Sequence, residues 1–325
     1  MHSFHRSAVA AVAATALVAL SACGGESADE GSGGGDASGP VVRLATGVDA
    51  SYAPVYLAAE EGLFAEHGVN VEYVTTEGGP AAGQMVVAGA AEVATLSDAT
   101  TTSLMATAED LRAFAVFEQS DEYIKVVLRD GIESPADIRT MSNVPGLMRL
   151  ATFRYLESEG VDPADVEFTD VAPPDIPTLL QRGDLDATVI FEPWATRAAE
   201  AGGEVVADIG DFDVSYSQWL LADADWLSEN EEAAAGIAAA IAEANEMIET
   251  DPEAAAAVME SAVQVPADLA AEILPQIDFE VRDLTSEDVE AARETAQFFL
   301  DQGNIPSMPD LDEQLLVGWY GEHTD

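Results

Sequence analysis

Carboxylates, hydroxyls and aromatic rings recur in this chain at the points where an apolar run gives way to a loop or a helix. Asp49, Ser51 and Tyr52 follow VVRLAT (41–46), Ser97 and Asp98 follow EVATL (92–96), and Glu118 and Gln119 close LRAFAVFE (111–118). Glu192 and Trp194 follow DATVIF (186–191), Tyr216 and Trp219 lie within VSYSQWLL (214–221), and Pro145, Gly146 and Leu147 form a turn into a helix. The chemistry open to such a set is non-covalent recognition. Carboxylates accept hydrogen bonds from an amine, aromatic faces stack on rings and cations, and free N–H groups at helix starts receive anions. Each position also has a plainer use. Ser97 or Asp98 suits a helix N-cap, Glu192 before Pro193 suits a helix start through the dipole, and Trp194 and Trp219 suit core packing. Arg149, early in its helix, suits solvent, yet it is the one nearby cation for an anionic ligand.

Catalysis is poorly served by the same inventory. Of four histidines, His2 and His5 fall in an export-like leader, which leaves His67 at a helix end and His323 near the C-terminus. A His-dependent triad or a His-rich metal site is thereby excluded, and no glycine-rich phosphate loop of the P-loop or dinucleotide pattern occurs. Close carboxylate pairs arise by chance among 61 acids and carry no weight. The expectation is a binding protein without cofactor, metal or enzymatic activity.

The elements that position these residues alternate strand and helix. VVRLAT is followed by a loop at residues 47–52 and a helix with Pro54 in its first turn. Gly62 interrupts that helix, Gly68 suits its left-handed cap, and VNVEYV (69–74) alternates as a second strand. A βαβ unit of this kind crosses over right-handed into a parallel sheet, and open α/β sheets take ligands outside the carboxyl ends of their strands. LRAFAVFE and EYIKVVL (122–128) stand close together with no helix between, which marks the chain leaving a first domain for a second βα series. The segment 214–221 reads as the return crossing, and from residue 228 onward the pattern is helical.

Length and charge bound the rest. At 325 residues, 48% of them hydrophobic, the chain can build two domains and a core, so its acids decorate a folded body. Lys and Arg number 12 against 61 Asp and Glu, a net charge of −49 that repels phosphate backbones and excludes nucleic acid as a partner. At the N-terminus a short basic region precedes an apolar run too short for an ordinary membrane span, and Leu20-Ser21-Ala22 precedes Cys23, the single cysteine. That arrangement resembles a bacterial lipobox, which implies a signal peptide over 1–22 and a lipid anchor on Cys23. Residues 23–40 are a Gly- and acid-rich flexible tether.

The order PVYLAAEEGLFAEHGVNVEYV, AGAAEVATLSDATTTSLM, QRGDLDATVIFEPWA and GNIPSMPDLDEQL resembles the solute-binding proteins of ABC importers for nitrate, sulfonates and taurine, which are similar to thiamine-pyrimidine-precursor binders. The resemblance covers residues 41–320, and residues 138–145, IRTMSNVP, depart from it in being shorter and less apolar than the family's strand there. It implies an α/β, two-lobed type II periplasmic-binding-protein fold with a ligand cleft between lobes. Residues 41–125 and 220–325 would form lobe 1, and 126–219 lobe 2. It further implies a monomer outside the cytoplasm, held to the membrane by the lipid on Cys23, which closes on a small organic solute and delivers it to a permease served by a separate ATPase. A sensor partner, or an enzyme on the same fold, is the alternative. Asp49, Ser51, Tyr52, Ser97, Asp98, Glu118 and Gln119 would be ligand contacts on one jaw, Gly146, Leu147, Glu192 and Trp194 on the other, with Tyr216 near the crossing.

Overall fold

A computed structural model describes residues 39–324. The stretch expected to be a signal peptide, Cys23 and the tether up to residue 38 lie outside the described residues. Ten strands are laid down in chain order: β1 (Val41–Thr46), β2 (Asn70–Thr75), β3 (Val93–Ser97), β4 (Leu111–Ser120), β5 (Ile124–Arg129), β6 (Thr140–Asn143), β7 (Glu167–Asp170), β8 (Ala187–Phe191), β9 (Gly203–Asp208) and β10 (Tyr216–Asp223). They form two five-stranded sheets, β2-β1-β3-β10-β4 and β7-β6-β8-β5-β9. β1 runs parallel to β2 and β3, while β10 runs antiparallel to both β3 and β4. In the second sheet β6 is parallel to β7 and β8, and β5 is antiparallel to β8 and β9. This is the α/β architecture of two sheet-centred lobes, with the chain crossing after β4 and returning before β10.

The first βαβ unit shows how sequence sets the local structure. Pro54 stands in the first turn of the helix Ala53–Glu60, and Gly62 at φ 75° breaks it before Leu63–Glu66. Gly68 at φ 78° turns the chain into β2, paired in parallel with β1 from Val41↔Asn70 to Thr46↔Thr75. A left-handed backbone at these points costs glycine little and any residue with a Cβ far more. The long helix Glu231–Thr250 lies against this unit, burying Ile237, Ile241 and Ile248, and Asn245 Nδ2 donates to the Phe117 carbonyl of β4 at 2.9 Å.

Three boundaries fall elsewhere than the sequence pattern suggests. β5 begins at Ile124, and β10 begins at Tyr216 within the first sheet, so the chain changes sheets at Asp121–Tyr123 and returns just before Tyr216, ahead of residue 220. Residues 140–143 form β6, held by Asp186 Oδ2, which accepts from the N–H groups of Arg139 and Thr140 at 3.0 and 3.1 Å. The helical stretch from residue 228 is in fact two helices, Ala224–Glu229 and Glu231–Thr250, separated at Asn230, whose Nδ2 donates to the Trp226 carbonyl.

Candidate functional site

The carboxyl ends of β1, β3 and β4 meet the start of β10 in a buried polar cluster. The side chain of Asp49 caps the short turn Ala50–Tyr52: its Oδ1 accepts from the Ser51 N–H at 3.0 Å and from Ser51 Oγ at 2.6 Å. Ser51, fully buried, also lies 3.0 Å from Gln218 Nε2 and 3.3 Å from the Tyr216 hydroxyl. Gln218 Nε2 donates in turn to the Tyr216 hydroxyl at 2.7 Å, and its Oε1 is buried without a partner. In the sheet, Gln218 stands between Glu118 of β4 and Ser97 of β3.

Tyr123 joins this cluster to the second lobe. Its hydroxyl lies 3.1 Å from Asp49 Oδ1 and 3.0 Å from the carbonyl oxygen of Glu192, so one phenolic proton has an acceptor in each lobe. The Tyr123 ring stacks on Tyr216 at 5.3 Å and faces Phe191 at 6.3 Å, nearly parallel to both. The Glu192 side chain is turned onto its own helix: it accepts from the Thr196 N–H at 2.9 Å and from Thr196 Oγ1 at 3.0 Å. Trp194 begins that helix, half-buried beneath the guanidinium of Arg197 at 4.7 Å.

Glu118 is the exception to polar satisfaction. It is 0% exposed, and neither carboxylate oxygen has a hydrogen-bond partner. Burial pushes its carboxyl well above the usual range, and the negative charges of Asp49, Asp98 and Asp278 push the same way. Burial also raises Asp98, to about 7, against the N–H of Ala99 that donates to it at 2.6 Å. Asp49 is raised by burial as well, opposed by its bonds from Ser51 and Tyr123. None of these three carboxylates is in an ion pair among the described residues. Glu118, wholly out of water and with no ion pair, is an unfavourable arrangement until a positive group or a set of donors arrives; Asp49 and Asp98 beside it are only partly buried.

The remaining candidates divide between structural and open positions. Ser97 is the N-cap of the helix Asp98–Met105, accepting from the Thr100 N–H at 3.3 Å. Gln119 Oε1 is occupied by Arg282, which also forks onto Asp288 at 2.8 and 3.0 Å. Gly146, at φ 78°, precedes the helix Leu147–Ser158, and Leu147 is buried at its start. Trp219 is core, 1% exposed, with its indole N–H on Ser217 Oγ at 2.9 Å. Asp98, Gln119, Leu147, Ser217 and Trp219 line a cavity of about 210 Å³ between the lobes, together with Arg154, Arg282 and Asp288. Sequence reasoning missed Tyr123 and Gln218. The signal for Gln218 was present, because it shares the inward face of an apolar strand with Tyr216 and Leu220, where an amide has no reason to be unless it has polar company.

Gly47 tests how tightly this loop is built. A Cβ there would lie 2.2 Å from the Tyr52 ring, and Tyr52 is itself only 4% exposed. Gly47→Ala is therefore expected to push the ring out of place, lowering stability by about 1–3 kcal/mol and weakening solute binding; a thermal melt together with a titration checks both. Unchanged melting and affinity would show that the Tyr52 ring relaxes freely.

The fold is that of known binding proteins. The periplasmic aliphatic sulphonate binding protein SsuA from Escherichia coli superposes with a TM-score of 0.79 at 19% identity, over 87% of this chain and 100% of that one. The alkanesulfonate-binding protein SsuA from Xanthomonas axonopodis pv. citri, bound to MOPS, gives 0.71 at 14% identity over 85% and 98%. The periplasmic nitrate-binding protein NrtA from Synechocystis PCC 6803 gives 0.67 at 15% identity over 87% and 88%. No curated protein matches the chain significantly. A family match covers residues 36–263, which include both sheets and every carboxylate of the polar cluster: the chain belongs to the NMT1-like family.

Proposed function

We propose that this chain is the extracytoplasmic solute receptor of an ABC importer, and that its solute is a small organic molecule presenting an amine or amidinium group to Glu118. The observation that carries the reading is the Glu118 carboxylate, fully buried beside Asp49 and Asp98 with both oxygens unpartnered and no ion pair. A positive or multiply donating group would relieve that cost, whereas bare nitrate would add a like charge. An aminopyrimidine or a zwitterion such as taurine supplies such a group.

Capture proceeds by closure. A solute held between the lobes favours the closed state because only that state offers contacts from both. The closed body then delivers its solute to a permease with its own ATPase, while cleavage after residue 22 and lipidation of Cys23 keep a monomeric receptor tethered outside the membrane. No step of bond chemistry is required of any residue.

Thermal-shift screening against aminopyrimidines, taurine, alkanesulfonates and nitrate tests the reading. At a hundredfold excess over Kd an amine-bearing solute should stabilise the protein by about 2.7 kcal/mol, roughly 5–10 °C. Stabilisation by nitrate while every amine-bearing solute fails would overturn it.

A further inference from the structure

One helix of the second lobe meets one helix of the first across the cleft in three spaced contacts. Arg149 Nη2 donates to Gln302 Oε1 at 3.3 Å, the Phe153 and Phe298 rings meet edge to face with centroids 5.4 Å apart, and Arg154 lies 3.6 Å from the Glu294 carboxylate. Arg149, Phe153 and Arg154 belong to the helix Leu147–Ser158; Glu294 and Phe298 belong to Ser286–Asp301, and Gln302 is the residue that ends it. Ser286–Asp301 itself packs on the helix Asp98–Met105 of the first lobe. Numbers rise along one helix as they fall along the other, so the two run antiparallel. Glu294, Phe298 and Gln302, each four residues apart, share one face.

Each ring of the central contact is fixed within its own lobe. Phe153 stacks on Phe168 of β7 at 5.5 Å and carries the Arg149 guanidinium 5.0 Å over its face, while Phe298 leans on the buried Phe299 at 5.9 Å. Both rings are nevertheless only partly buried, and each is covered from across the cleft by the other. Parting the lobes returns both to water and gives up the edge-to-face packing as well.

The contacts lie on the cleft side of the chain crossings, with a cavity to either side. The 210 Å³ cavity is lined by Leu150, Arg154, Ala292 and Glu294 together with the strand-end residues Asp98 and Gln119, and a larger one of about 680 Å³ by Arg149, Phe299 and Gln302. A rotation that widens the cleft therefore breaks all three contacts.

We propose that this ladder is a clasp that holds the lobes together before any solute enters, so that the receptor populates its closed form unaided and a solute selects it. The clasp rests on the reading of the chain as a receptor that closes, and is independent of the amine specificity. Loosening it lowers the closed fraction, and with it the affinity for every solute by a common factor.

Double electron–electron resonance between two nitroxides tests the clasp in the absence of solute. The full-length chain carries Cys23→Ser, so that no other thiol is labelled, with labels at Thr107→Cys on the wall of the larger cavity and Ala172→Cys just past the carboxyl end of β7, both exposed positions. The labelled parent is expected to give a predominant short distance. Phe298→Ala should raise the ratio of long to short distances about tenfold. Glu294→Arg, an exposed substitution that sets like charge against Arg154, should raise it several-fold, and adding Arg154→Glu should reverse that rise. Val317→Ala, at an exposed valine outside the ladder, should leave the ratio unchanged. A parent that gives only the long distance, or distributions identical in the parent, Phe298→Ala and Glu294→Arg, overturns the clasp. Because no solute is present, failure of the amine-bearing solutes to bind leaves these distances as they are, and the two proposals fall separately.

Discussion

Glu118→Gln is expected to lower affinity for an amine-bearing solute by roughly 30-fold to more than 1000-fold while leaving the protein folded. Neutralising one member of a buried, hydrogen-bonded charge pair costs about 2–5 kcal/mol of binding, and each 1.4 kcal/mol is tenfold. The fold survives because the amide is nearly isosteric and carries no charge to desolvate, and because Glu118 in the free protein has no bonds to lose. Calorimetric titration of both proteins with the same solute gives the ratio directly. An unchanged affinity would mean that the solute never reaches Glu118, and with it the amine reading would fall.

Acidity is expected to act on the free and the loaded protein in opposite directions. Asp98, raised by burial from an ordinary 3.8 to about 7, holds its proton more tightly when folded than when unfolded, and Glu118 is shifted the same way. The folded state then binds more protons between those values, so the stability these groups contribute is whole below about pH 4 and is lost as pH rises toward 7. The overall charge of −49 adds a loss of the same sign. The informative quantity is therefore the difference between the parent and Asp98→Asn, whose melting temperature should fall less steeply from pH 5 to 8. Binding of a cation runs the other way. It favours the ionised carboxylates, so affinity should climb with pH through 7, by at most about tenfold per unit for each proton released. Titration in buffers of different ionisation enthalpy counts those protons, and a flat affinity from pH 6 to 8 would disconnect Asp98 from the solute.

What could be read from the sequence follows the range of the interactions involved. The β1 run, its loop and the helix behind Pro54 are set by residues within one turn of each other, and they fall where the pattern places them. Strand-end acids were equally legible, because a run such as LRAFAVFE is buried on both faces and its terminal Glu118 interrupts it. Tyr123 was not legible. Its role arises from the antiparallel pairing of β5 with β8, which brings the Glu192 carbonyl to its hydroxyl across 69 residues of chain, and no local period encodes that partner. The return strand was misplaced by a few residues for the same reason, since Tyr216 belongs to the first sheet only by virtue of its neighbour Ser120. Glu192 illustrates the reverse case: its position before a helix suggested both a ligand contact and a local cap, and its side chain makes the local bonds to Thr196.

The pairing of β4 with β10 also bears on how the receptor moves. Ser120, the last residue of β4, stands opposite Tyr216, the first of β10, so both chain crossings leave the first sheet at adjoining strand ends. Two tethers set side by side are expected to resist twisting and sliding of one half against the other and to favour rotation about the line joining them. On the proposed reading, a solute arriving in the cleft would select one angle, and the search that separates encounter from capture would run along one coordinate.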